Sequence, residues 1–309
     1  MSEREEFLLL INQGGNKYFP EDCTSCVIKP CFSRNTKFHR VMRKFIFKCA
    51  PICSFFLFRS WIQDAAIARV IVVFDGGNAA YITRYLARKF PQKRIILYYW
   101  NPVSRSINPS KIDINNVEIW SFDRNDCDTY NFRYNPQFFF PENAVLATSP
   151  QLEYDGVFVG VDKQRSTILQ EIKAFAEKQG LNFYFYLVKS NLKSDLSEVN
   201  QKYNERITYE ELIHLVNKSK AIIDVCSSDQ TGMTLRPLEA LFLKKKLITN
   251  MKKMVEYSLY NRKNVFIIGQ DDYCDLYDFV NSPYDESDHE KLLAEYGVEN
   301  WLNRFNDSL

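Results

Sequence analysis

Short apolar runs recur along this chain, and between them the apolar positions relax to helical spacing. Phe7–Ile11 reads FLLLI and Ala68–Asp75 reads ARVIVVFD. Both suit strands buried on two faces, the second being rich in β-branched residues. Asn78–Phe90 follows with apolar residues three and four apart, Asn78 at its start and Pro91 beyond its end, which predicts an amphipathic helix. Arg94–Trp100 and Val117–Asp123 are the next strands. A second series opens at Asp155–Gly160. It continues with a helix closed by Gly180 at a C-cap position, and a strand over Leu181–Val188. Thr208–Ser219 reads as a helix with a Thr208…Glu211 capping box. Lys220–Val225, Lys246–Asn250 and Asn264–Gly269 are further strands.

Strand–helix alternation of this kind predicts an α/β fold with two doubly wound, Rossmann-like domains of parallel strands. The irregular, proline-containing stretch before Asp155 sets the expected division: residues 1–150, residues 151–285, and one or two helices over 286–309 that cross back to the first domain.

Composition narrows the class. The chain has 309 residues, 46% hydrophobic and 25% charged, with a net charge of +2. That is globular rather than disordered or polyelectrolyte composition. Eight cysteines at this length form no disulfide framework, and the acidic opening MSEREEFLLLINQ reads as no secretory leader. The expected location is therefore cytoplasmic, with reduced thiols. No apolar run reaches the ~18 residues of a membrane-spanning helix.

Charge is not evenly spread. Residues 23–63 contain no Asp or Glu and interleave eight Lys and Arg with Phe45, Phe47, Phe55, Phe56, Phe58 and Trp61. A basic, aromatic, helix-compatible segment suits an anionic membrane surface; it equally suits a helix with a core-facing aromatic side and a solvated basic side. No nucleic-acid motif accompanies the charge, so nucleic acid is not an expected partner. Cys23-x2-Cys26 has metal-ligand spacing without a second matching pair, and buried thiols are the expected state.

Three segments carry candidate chemistry. FDGGNAA, Phe74–Ala80, sits where a strand gives way to a helix, and Asp75 is placed to act as a base. The alternative is a tight turn in which Asp75 serves the helix end. FVGVDKQR, Phe158–Arg165, ends a strand at Gly160 and sets Lys163 and Arg165 at a helix start. The helix dipole disfavours cations there unless an anion is held between them. QTGMTLRPLEALFLKKKLITN, Gln230–Asn250, places Thr234, Arg236 and Glu239 at the start of a helix expected from about Thr231. Arg236 and Glu239 are three apart. They form either part of a ligand site or a plain ion pair of ~0.2–0.5 kcal/mol.

This last segment resembles the donor-binding region of GT-B fold glycosyltransferases, above all those of bacterial lipopolysaccharide core and capsule assembly. Gln230, Gly232, Thr234, Arg236 and Glu239 followed by ALFLKKKLITN carry the likeness; the segments Trp120–Phe140 and Tyr154–Ile172 are similar to the same proteins. The resemblance implies two doubly wound domains facing a cleft. It implies a nucleotide-sugar donor on Gly160, Lys163, Arg165, Thr234 and Arg236, with its ribose on Glu239. A lipid-linked glycan acceptor would be activated by Asp75. It implies no bound metal and no cofactor, and a place at the inner face of the inner membrane. Eight residues before Glu239, where many retaining members carry a second glutamate, this chain has Thr231, so the stereochemical course stays open. Two other readings stay open with it: a non-catalytic GT-B-like scaffold in polysaccharide assembly, and another nucleotide-sugar enzyme such as an epimerase.

Overall fold

The structure, a computed structural model, describes residues 6–11, 18–33, 36–49, 56–58, 60–113, 115–145, 151–162, 165–189, 203–226 and 231–306. The chain forms two compact units, one of Met1–Gln137 with Trp301–Leu309, the other of Phe138–Asn300.

The first unit is built on β1 Phe7–Ile11, β2 Val27–Pro30, β3 Val70–Phe74, β4 Arg94–Tyr99, β5 Glu118–Ser121 and β6 Arg133–Tyr134. Their order is β2-β1-β3-β4-β5-β6, and every pairing is parallel. All five residues of β1 and of β3 are buried, as the unbroken apolar runs require of strands covered on both faces. One face carries Leu8, Leu10, Ile71, Val73, Ile95 and Leu97, packed with Phe47, Phe58, Trp61, Ile82 and Leu86. The unit's helices include α1 Lys37–Cys49, α2 Ile62–Ile67, α3 Ala79–Lys89 and α4 Arg124–Tyr130; Phe47 comes from α1, and Ile82 and Leu86 from α3. Asn78 occupies the N-cap position of α3, although its side chain makes no cap bond.

The second unit has β7 Tyr154–Val161, β8 Phe183–Val188, β9 Ser219–Asp224, β10 Lys246–Thr249 and β11 Val265–Ile267, in the all-parallel order β11-β10-β9-β7-β8. Its helices are α5 Glu142–Val145, α6 Ser166–Lys178, α7 Tyr209–Asn217, α8 Arg236–Phe242, α9 Leu276–Asn281 and α10 His289–Tyr296. The capping box at Thr208 and Glu211 is present with both of its bonds. Gly180 sits just past α6 at φ 76°, a left-handed conformation that glycine adopts without penalty.

The final helix, α11, covers Val298–Asn306, and from Trp301 onward it belongs to the first unit. Trp301 and Phe305 are fully buried. The Trp301 ring lies 4.9 Å from Tyr98 and 5.9 Å from Phe74 between centroids, so a C-terminal helix helps to cover the sheet that the N-terminal chain builds. The fold is thus two doubly wound α/β units, each on a wholly parallel sheet. Among the described residues no helix is long and apolar enough to cross a membrane.

Candidate functional site

Sheet order marks a candidate site in the second unit. From β7 the chain moves outward to β8, then crosses to β9 on the other side of β7. The connections leaving β7 and β9 therefore diverge, and such switch points at the carboxyl ends of parallel strands are where open α/β sheets take ligands. The residues there are Gly160 and Val161 at the end of β7, Asp162 and Arg165 beyond it, and Asp224 to Cys226 at and after the end of β9, with the start of α8 beside them.

Arg165 ties the two strand ends together. Its Nε donates to the Asp162 carbonyl at 3.2 Å, and its two Nη groups donate to the carbonyls of Val161 and Val225. The guanidinium lies 5.1 Å from the centroid of the Phe158 ring. A Cβ on Gly160 would stand 3.0 Å from Phe158 Cζ and 3.4 Å from Arg165 Nη2. Glycine at this position leaves room for the cation over the ring. Burial pulls the Arg165 pKa below its ordinary value, opposed by the negative charge of Asp224 nearby.

Arg236 is the second cation. Its Nη1 pairs with Glu239 Oε2, and its Nη2 donates to the Val159 carbonyl at 3.2 Å. Glu239 is 1% exposed. Burial alone would lower the Arg236 pKa, but the Glu239 carboxylate more than reverses this and raises it. Thr234 links the parts: its hydroxyl donates to Asp224 Oδ2 at 3.0 Å and accepts from the Arg236 N–H at 3.2 Å. Asp224 is 3% exposed. Burial raises its pKa, against the Thr234 hydrogen bond and the charges of Arg236 and Arg165.

Of the candidate residues, Gly160, Arg165, Thr234, Arg236 and Glu239 therefore lie in one hydrogen-bonded neighbourhood. Lys163 lies outside the described residues. Helix α8 begins at Arg236, not near Thr231 as expected. Pro237 stands in its first turn, where a missing N–H costs nothing. Thr234 consequently precedes the helix, and Pro237 to Leu241 are all buried.

The structure adds residues that sequence reasoning missed. Asp162 Oδ1 accepts from the backbone N–H groups of Arg165 and Ser166, each at 3.1 Å, so a protein carboxylate already serves the start of α6. Its Oδ2 accepts from the Tyr203 hydroxyl at 2.6 Å. Asn250 brackets Cys226, accepting from its N–H at 2.8 Å and donating to its carbonyl at 3.2 Å. A carboxylate ending or following a strand at the switch point is the common signal of Asp162 and Asp224. It becomes readable only once strand order is known.

Asp75 lies in the first unit, after β3, at the switch point between β1 and β3. Its Oδ1 accepts from the Trp100 N–H at 2.8 Å and its Oδ2 from Asn101 Nδ2 at 3.2 Å. Burial raises its pKa above the ordinary carboxylate value, against hydrogen bonds from Ser106, Trp100 and Asn101.

The Cys23 and Cys26 sulfurs are 3.4 Å apart and buried. Among the described residues no group of three or more His, Cys, Asp or Glu side chains is arranged to hold a metal ion.

No family model and no curated protein matches this chain. Solved structures share its general architecture at low similarity. A putative UDP-N-acetylglucosamine 2-epimerase from Listeria monocytogenes is 11% identical over 98% of this chain and 95% of its own, with a TM-score of 0.43. A spinosyn rhamnosyltransferase in complex with spinosyn aglycone is 11% identical over 91% and 87%, with a TM-score of 0.39. The glycosyltransferase of kitacinnamycin is 10% identical over 92% and 87%, with a TM-score of 0.41. Likeness at this level does not extend to substrates, and the site rests on this chain's own residues.

Proposed function

We propose that the protein is a metal-independent glycosyltransferase that moves a sugar from a nucleotide-sugar to a growing lipopolysaccharide core or similar cell-surface glycan, working at the inner face of the inner membrane. The observation that carries this reading is the pair of guanidinium groups, Arg165 and Arg236, at the switch point of the second sheet. Each guanidinium has five N–H donors. Arg165 commits three of them to carbonyls and Arg236 two to Glu239 and Val159 among the described residues. The others are suited to phosphate oxygens.

In this proposal Gly160, Lys163, Arg165, Thr234 and Arg236 surround the diphosphate, and Glu239 accepts from the ribose hydroxyls. An acceptor hydroxyl oxygen attacks the anomeric carbon as the bond to the diphosphate breaks. The acceptor's proton passes to the Asp75 carboxylate, and the two cations stabilise the negative charge on the departing nucleoside diphosphate. A lipid-linked acceptor makes an anionic membrane surface the expected second partner, met by the basic segment of residues 23–63.

Calorimetry and thermal shift with a panel of nucleotide-sugars test the donor site. One donor at 100 times its Kd should add about 2.7 kcal/mol, a rise of roughly 5–10 °C in Tm for a unit of this size. Binding of none would leave the scaffold reading standing, and conversion of the donor to an isomer without acceptor would mark an epimerase.

Asp75 gives a pH test. A carboxyl group with a raised pKa stays protonated, and inactive as a base, until the pH passes that raised value. The acid limb of the rate profile should therefore fall above 3.8, the ordinary value. Asp75→Asn should remove the limb and lower kcat by about 10²–10⁴-fold. A profile unchanged in Asp75→Asn would remove Asp75 from the reaction. The stability linkage has the matching sign. Burial favours the neutral carboxyl, so its contribution is present below pH 3.8 and is lost as pH rises through the folded value.

A further inference from the structure

The basic, aromatic segment divides into an inner and an outer half. Phe47, Phe58 and Trp61 are buried in the first unit's core. Arg43 is buried too, with its guanidinium 4.3 Å from the centroid of the Phe32 ring. Three large apolar side chains of α1 point the other way: Phe38 is 72% exposed, Val41 68% and Phe45 63%. Their spacing of i, i+3 and i+7 puts them on one helical face, roughly opposite Arg43 and Phe47. Lys37 and Lys44, also seven apart, run alongside this stripe, and both are exposed. Phe56, 64% exposed, is the next outward aromatic in the same segment.

An amphipathic helix explains its apolar face by packing it inward. Helix α1 does that with Phe47 and still leaves a second apolar stripe outside, edged by lysines and free of acidic residues. Apolar insertion flanked by cations is the chemistry of a helix lying in the interface of an anionic bilayer. A protein partner for such a face would need acidic groups around an apolar groove, whereas an anionic lipid surface offers both layers everywhere. We infer that Phe38, Val41 and Phe45 insert between anionic lipid headgroups while Lys37 and Lys44 pair with lipid phosphates, so that α1 docks by wedge as well as by charge. This deepens the membrane part of the proposed function and is independent of the sugar site.

The test is co-sedimentation of the full chain with phosphatidylcholine vesicles containing about a third phosphatidylglycerol, against phosphatidylcholine alone. The wild-type protein should sediment with the anionic vesicles. Phe38→Ser/Val41→Ser/Phe45→Ser should lose at least about tenfold in affinity, because each buried methylene equivalent contributes to insertion. Lys37→Gln/Lys44→Gln should lose roughly fivefold per lysine, an effect that shrinks in salt. The substituted side chains are exposed, so far-ultraviolet circular dichroism and Tm should match wild type. Sedimentation retained in the triple-serine variant would overturn the wedge while leaving an electrostatic membrane contact. No sedimentation of the wild type would overturn both. A dimer in solution that the triple-serine variant dissociates, with no vesicle binding, would assign the stripe to a second copy of the chain and overturn the inference. Nucleotide-sugar binding, measured on the same variants, should be unchanged in every case.

Discussion

Glu239→Ala is expected to abolish nucleotide-sugar binding and turnover and to cost about 3–5 kcal/mol of stability in the second unit. Both effects follow from one geometry. Glu239 is 1% exposed and Arg236, its partner, is largely withdrawn from water. Alanine at 239 leaves that guanidinium buried without its counter-charge, and truncating one partner of such a pair is far costlier than replacing both. An exposed pair at the same i,i+3 spacing would lose only ~0.2–0.5 kcal/mol. A second variant separates stability from function. Arg236→Met/Glu239→Leu fills the space with apolar atoms and should recover most of the lost stability, since such replacements of buried pairs are often neutral. It should recover no binding, because neither the cation nor the carboxylate remains. Thermal unfolding and calorimetry on the two variants decide the matter. Wild-type turnover in Glu239→Ala, or donor binding by the double variant, would remove these residues from the proposed site.

Trp301→Ala should cost the first unit about 3–5 kcal/mol, a large share of the 5–15 kcal/mol typical of a domain. The ring is fully buried against Tyr98, Phe74 and Phe305, the last at 4.8 Å between centroids. The Trp301 carbonyl accepts from Asn135 Nδ2 at 3.0 Å, which fixes the helix against the end of the sheet. The loss has two parts: the indole's transfer back to water and the cavity it leaves between the helix and β3–β4. A chain of two units need not unfold in one step, so the readout should be local. Hydrogen exchange at the amides of β3 and β4 should accelerate strongly while β7 and β9 keep their protection. Trp301→Phe keeps most of the volume and should show a smaller change. Unchanged exchange in β3 and β4 would mean that the last helix contributes little to the unit it covers.

How far the residues announced this arrangement depends on what each pattern encodes. The strand Val70–Phe74 is legible because all five of its residues are apolar and buried, and Arg94–Tyr99 and Lys246–Thr249 because each keeps an apolar centre behind a single basic residue at its start. Strand Val27–Pro30 is not, since its residues are half-exposed or exposed and lie in a stretch whose charge draws attention to helices. Strand Arg133–Tyr134 is two residues long and leaves no pattern. Helix α8 starts at Arg236, five residues past the expected Thr231, and Pro237 is the direct marker of its first turn. At the site, Arg165 and Arg236 stood out as cations where a helix start does not favour them, and Glu239 as a carboxylate three residues from Arg236. Asp162, Asp224, Tyr203 and Asn250 did not, because their meaning depends on β7 lying between β8 and β9. Periodicity reports which residues face inward, and it carries no information on which strands are neighbours.

The return of the chain from Asn300 to Trp301 has a consequence for synthesis. On the ribosome, the strands of the first sheet emerge long before the helix that covers one of their faces. The whole second unit must be made in between. At elongation rates of about 5–20 residues per second, that delay is on the order of 10–30 s. During it the nascent chain presents Tyr98 and Phe74 without their Trp301 cover, and the unit that begins first is the one completed last.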